Sequence, residues 1–158
     1  MTTKIKFIKL SILLDNYPNN IEVIKESYLK LLSELTETSE LDTNLFLENI
    51  KKIHTMGCII VCYTENPSLY GFKIVASGTI IIEPKIIRGG KNVGHIEDIV
   101  IKASYRGYKI SQDLLDLLKF EAREKNCYKV ILDCDDSIKQ VYNRSGFEAK
   151  GIQMAIYF

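Results

Sequence analysis

The hydrophobic pattern of this chain changes period once, abruptly, at Gly57. Before it, Ile21, Ile24, Tyr28, Leu31 and Leu35 recur at steps of three and four, and Leu45, Phe46, Ile50 and Ile53 repeat that spacing. Each set makes one apolar stripe on a helix, and Asp42 or Thr43 can cap the second. After it, Cys58 to Thr64 and Gly71 to Ile82 are rich in β-branched residues and are separated by Asn66-Pro67. These read as an antiparallel pair of strands. Two amphipathic helices ahead of such a pair must bury their stripes on a sheet face, so the chain is layered.

The remaining elements extend that layer. Ile5, Phe7 and Leu10 suggest a short opening strand, followed by a loop around Tyr17-Pro18-Asn19-Asn20. Arg88-Gly89-Gly90-Lys91-Asn92 predicts a flexible turn before a third strand, His95 to Ile101. A helix follows from about Ser111 to Lys125, with Leu114, Leu115, Leu118 and Ala122 inward. Lys129 to Cys134 reads as a buried strand, Ser137 to Ser145 as a short helix stopped by Gly146, and Phe147 to Phe158 as one or two closing strands. The expected fold is an α+β (α/β layered) domain with a central mixed sheet and helices on both faces. At 158 residues, 1–158 form a single domain.

A net charge of +1 offers no electrostatic footprint for nucleic acid or an anionic membrane, so any anionic ligand needs a local site. The N-terminus lacks a signal-like apolar region, and no apolar run approaches the roughly 20 residues of a membrane span. The expectation is a cytoplasmic chain. Cys58, Cys62, Cys127 and Cys134 lie in apolar stretches without metal-type spacing, which predicts buried reduced thiols. His54 and His95 fall at no ligand spacing, so no metal is expected.

The chemistry concentrates between Ile99 and Leu118. Tyr105-Arg106-Gly107-Tyr108-Lys109-Ile110-Ser111 leads into a helix start, where free amides and the helix dipole favour an anion; Arg-Gly before a helix is equally a common surface turn. Two flanking features favour the anion site. Glu97 and Asp98 are consecutive on a strand, which in regular alternation sends them to opposite faces. Asp133-Cys134-Asp135-Asp136 ends the next strand, and Tyr142 sits on the helix after it. Carboxyl ends of parallel strands are where ligands bind.

Gly94-His95-Ile96-Glu97-Asp98-Ile99, Cys127-Tyr128-Lys129-Val130-Ile131-Leu132-Asp133-Cys134-Asp135 and Tyr142-x-x-x-Gly146-Phe147 resemble the GNAT acetyltransferases, and among them the eukaryotic glucosamine 6-phosphate N-acetyltransferases. Glu83-x-Lys85-Ile86-Ile87 fits the same pattern. The resemblance implies transfer of acetyl from acetyl-CoA, a co-substrate, to the amine of glucosamine 6-phosphate on the way to UDP-N-acetylglucosamine. It also implies a homodimer whose active sites use both chains. Carried over residue by residue, it places cofactor contacts on Ile99, Val100, Ile101, Gly107, Tyr108, Lys109, Ile110, Ser111 and Gln112. The leaving-group tyrosine falls on Tyr142. Sugar contacts fall on Ser33, Glu97, Asp98 and Asp133, with Lys85, Ile86, Ile87, Arg88, Tyr128 and Lys129 near the substrate.

In this scheme Glu97 takes the amine proton, Asp133 orients the amine through its carbonyl, and Tyr142 meets the thiolate. The chain departs from the family at four positions. Lys109 and Ser111 stand at the usual small positions of the cofactor loop, tolerable if Lys109 keeps a negative φ and Ser111 caps the helix. Tyr157 stands where the family often presents an arginine to the phosphate, and Ile138 replaces an asparagine common near the cofactor thiol. Two other readings keep the fold: transfer to a different amine, or a catalytically idle acetyl-CoA-binding module.

Overall fold

The computed structural model describes residues 4–66, 71–107 and 109–158. Among them, β1 (Lys6–Lys9), β2 (Gly57–Asn66), β3 (Gly71–Pro84), β4 (Asn92–Ile101) and β5 (Cys127–Ile131) form one sheet in sequential order. The first four strands are antiparallel neighbours and β5 joins β4 in parallel, so the sheet is mixed as expected. The helices are α1 (Leu10–Asn16), α2 (Ile21–Leu32), α3 (Thr43–Met56), a single turn α4 (Ile87–Gly90), α5 (Ile110–Glu124) and α6 (Lys139–Asn143).

Period-two alternation in β2 divides the core into two layers. Ile59, Val61 and Tyr63 pack with α1, α2 and α3, whereas Cys58, Ile60 and Cys62 pack with α5 and Tyr142 of α6. Helices therefore cover both faces. The α3 start is fixed as its sequence indicates: Asp42 accepts from the Asn44 and Leu45 N–H groups at 2.9 and 3.2 Å. At the other end, a Cβ on Gly57 would stand 1.8 Å from the Ile80 carbonyl oxygen, so only glycine permits β2 and β3 to approach there.

Four expectations are corrected. Leu10 opens a helix rather than extending the first strand, because Leu10, Leu13 and Leu14 bury one stripe against the α2–α3 layer. The 88–92 turn contains the helical turn α4, with Arg88 at φ 57°. Cys134 is exposed and Cys127 only half-buried; Cys58 and Cys62 are buried, and desolvation pushes their thiols up to about 11 and about 12. Phe147 to Phe158 contains no strand. Ile152, Met154, Ile156, Tyr157 and Phe158 are at least 77 % exposed, so within one chain this segment gains no burial to offset the entropy of ordering it.

Candidate active site

The site begins with a defect in β4. Ser77 opposes Val100 and Thr79 opposes Glu97, so Asp98 and Ile99 both stand against Gly78. This is a β-bulge, and Asp98 adopts the left-handed φ of 51° that it requires. The extra residue reverses the alternation. Ile96 and Ile99, three apart, both pack on the α5 layer while Val100 packs on the other, and Glu97 and Asp98 are both exposed. The expected division of the two acids between opposite faces thus gives way to a local distortion. Gly78 makes room for it, since a Cβ there would lie 2.5 Å from Ile99 Cδ1.

Beside the bulge the sheet opens. β4 and β5 pair from Asn92–Cys127 to His95–Ile131 and no further, so Glu97 to Ile101 has β3 on one side and no β5 partner on the other. Backbone groups in such a gap can take a ligand in place of a strand. Lys102 N–H returns to the Val75 carbonyl at 2.8 Å, and the chain turns through Ala103–Tyr105 toward α5. Glu34, just past α2, ties this turn down by accepting from Ala103 N–H at 2.8 Å and from Lys102 Nζ at 3.4 Å. These bonds hold the Glu34 carboxyl below the usual range, the Ala103 amide contributing most. Ser33 is exposed next to this clamp, its hydroxyl donating to the Lys30 carbonyl at 2.7 Å.

The α5 N-terminus completes the cradle. Gly107 has φ 86°, and Lys109, the N-cap residue, has φ 60° with no side-chain capping bond. Lys109 therefore lacks the negative φ expected of it, and Ser111 lies inside the first turn rather than at the cap. The amides of Ile110, Ser111 and Gln112 have no side-chain acceptor from the N-cap, which suits a phosphate. Tyr108 lies outside the described residues. A left-handed lysine costs roughly 1–2 kcal/mol, of which glycine's unfolded-state entropy would return roughly 0.5–1. Lys109→Gly is expected to raise Tm by about 1–2 °C in a thermal scan; a fall would mean that the Lys109 side chain contributes stabilising contacts.

Tyr142 is 8 % exposed and its ring meets Phe147 edge-on at 6.2 Å between centroids. Burial, and secondarily Cys134, pushes its phenol above the ordinary tyrosine range. Glu97 is also raised, by partial desolvation of its carboxyl, then by Asp98 and Asp133; His95 opposes the shift. The structure thus gathers Glu97, Asp98 and Asp133 into one electrostatic neighbourhood. A cavity of about 880 Å³ lies along β5, with Tyr128, Lys129, Asp133, Cys134 and Tyr142 in its wall.

A second cluster adjoins that wall at Tyr128 and Lys129. Arg88 lies 5.7 Å and Lys129 Nζ 5.6 Å from the Tyr128 ring centroid, and Lys85 pairs with Glu83 at 2.5 Å. Ile86 and Ile87 are exposed between them. These residues border the Asn92 end of β4, whereas the cradle follows Ile101. Nine residue steps separate the two, about 30 Å along an extended strand. Sequence reasoning missed Glu34, Gly78 and the Glu83–His95 pair; the glycine opposite the two acids was the one available signal.

Comparison with known proteins identifies the family. Residues 22–147 match the sequence model of the Acetyltransferase (GNAT) family. The chain is 35 % identical over 143 residues to glucosamine 6-phosphate N-acetyltransferase 1 of Dictyostelium discoideum, covering 89 % of this chain and 88 % of that one. It is 38 % identical over 131 residues to glucosamine 6-phosphate N-acetyltransferase of Trypanosoma brucei brucei, covering 82 % and 86 %. The crystal structure of glucosamine-6-phosphate N-acetyltransferase from Arabidopsis thaliana superposes with a TM-score of 0.82 at 30 % identity, covering 98 % of this chain and 99 % of that one. The chain is thus an acetyl-transfer enzyme and belongs to the acetyltransferase (GNAT) family.

Proposed function

We propose that the chain is a glucosamine 6-phosphate N-acetyltransferase, converting acetyl-CoA and D-glucosamine 6-phosphate to CoA and N-acetyl-D-glucosamine 6-phosphate, a step toward UDP-N-acetylglucosamine in the cytoplasm. The observation that carries this reading is the coincidence of the Asp98 bulge with the end of β4–β5 pairing. It leaves Glu97 to Ile101 open beside the uncapped start of α5.

In this reading the amides of Ile110, Ser111 and Gln112 hold the CoA pyrophosphate, and the Ile99–Ile101 backbone holds its pantetheine arm. The amine nitrogen attacks the thioester carbonyl while its proton passes to Glu97, directly or through water. The C–S bond then breaks, and the departing thiolate accepts a hydrogen bond from Tyr142. The raised proton affinity of Glu97 suits a general base better than an ordinary carboxylate would. The Asp133 carbonyl orients the amine, and no covalent acetyl-enzyme is involved. The desolvated thiols of Cys58 and Cys62 are poor nucleophiles.

The working unit is a homodimer with shared sites. The exposed apolar tail and the separation of Lys85 and Arg88 from the cofactor cradle support it: a second chain can cover the first and bring the second to the sugar phosphate. A thiol-release assay is expected to show turnover with glucosamine 6-phosphate and at least about tenfold lower kcat/KM with unphosphorylated glucosamine, about 1.4 kcal/mol for a lost charge-assisted contact. Indifference to the phosphate would redirect the reading to another amine. Calorimetric binding of acetyl-CoA without turnover on any amine would leave only a binding module.

A further inference from the structure

His95 is the last residue of β4 that pairs with β5, and it precedes Glu97 by two positions on the unbulged part of the strand. Residues two apart on such a strand share a face, with side chains roughly 7 Å apart. His95 is half-buried, and its Nε2 lies 2.6 Å from Glu83 Oε2. Glu83 is held in turn by Lys85 Nζ at 2.5 Å. Lys85 first, and His95 second, keep the Glu83 carboxyl below the usual range, so it is ionised and can only accept. His95 Nε2 therefore donates, and the orientation of the ring is fixed. Without His95, the charged groups acting on Glu97 are Asp98 from its own strand and Asp133 from beyond β5, both negative.

We propose that His95 is a positioning residue for Glu97: anchored by Glu83 on the face of β4 that carries the carboxylate receiving the amine proton, its imidazole offsets the negative field of Asp98 and Asp133. The proposal rests on the reading of Glu97 as the base. An imidazole remains protonated through the acidic range in which a carboxylate titrates. Its charge therefore keeps Glu97 ionised to lower pH than Asp98 and Asp133 would permit. The sign follows directly. Removing the charge raises the proton affinity of Glu97, and activity is lost at higher pH as the medium is acidified.

The test compares wild type, His95→Gln and His95→Arg in the pH profile of kcat/KM for glucosamine 6-phosphate. Carbon-13 NMR titration of the Glu97 carboxyl in the resting enzymes accompanies it, assigned through Glu97→Gln. His95→Gln keeps a donor for Glu83 but no charge, and it is expected to move both the acidic limb and the NMR midpoint upward by roughly half a pH unit. This is the shift for one charge at about 7 Å in a largely aqueous setting. His95→Arg keeps charge and donor, and it is expected to restore both midpoints. An unmoved NMR midpoint in His95→Gln, or equal shifts in both variants, overturns the proposal even if kcat falls. If His95→Gln does not fold, an upward shift in His95→Arg overturns it alone. A shifted NMR midpoint without wild-type turnover of glucosamine 6-phosphate sinks the substrate assignment and leaves the coupling intact.

Discussion

Tyr142→Phe is expected to lower kcat at least about 100-fold while the KM for acetyl-CoA stays within about twofold, the pattern of an interaction made only as the thiolate departs. The ring is buried among α5-layer side chains and meets Phe147, so phenylalanine keeps the packing and removes only the hydroxyl. Tyr142 lines the cavity along β5. Ordinary values of about 10 for a phenol and about 8.5 for a thiol make full proton transfer to the thiolate uphill by roughly 2 kcal/mol. Burial raises the Tyr142 phenol further, which makes transfer still less favourable. The role proposed for it is thus to donate a hydrogen bond to the leaving sulfur, with the proton supplied later by solvent. Steady-state kinetics on both proteins decides it. Equal kcat values would take Tyr142 out of the chemistry, whereas a large KM rise with constant kcat would make it a binding residue.

The contrast between what the sequence disclosed and what it concealed has a physical pattern. Apart from Leu35, which lies exposed beyond the end of α2, and Leu45, exposed on α3, the stripes of α2, α3 and α5, the Asp42 cap and the β2–β3 pair were legible because each depends on neighbours within one turn or one hairpin. The bulge was not. Regular alternation predicts opposite faces for Glu97 and Asp98, and only the register against β3, with Gly78 opposite, reveals the extra residue. Lys109 misled for a related reason: lysine carries no local preference for positive φ, yet the chain must reverse there to start α5 beneath the bulge. The His95–Glu83 contact spans two strands, and neither residue marks it alone. The tail failed differently. Alternating Ile152, Met154 and Ile156 carry a strand pattern, but the single chain leaves them in water. A pattern without a partner in the same chain points outward.

That outward-pointing tail and the remote cations lead to the sharpest test of the shared site. Tyr142→Phe destroys the cofactor half of a site. A double variant, Lys85→Ala with Arg88→Ala, destroys the phosphate half if those cations act across the dimer interface. Each variant alone is expected to be nearly inactive. When the two are unfolded together and refolded at equal concentration, half of the dimers are mixed. In a mixed dimer one site inherits both lesions and the other inherits none. Activity is therefore expected to recover to about a quarter of wild type, with wild-type KM for glucosamine 6-phosphate. Deleting residues 152–158 from both variants is expected to abolish the recovery and give monomers by light scattering, because it removes Ile152, Met154 and Ile156, the exposed apolar side chains that a second chain would bury. No recovery from full-length variants that do form mixed dimers would place Lys85 and Arg88 in the site of their own chain, and an active double variant on its own would place them outside the site.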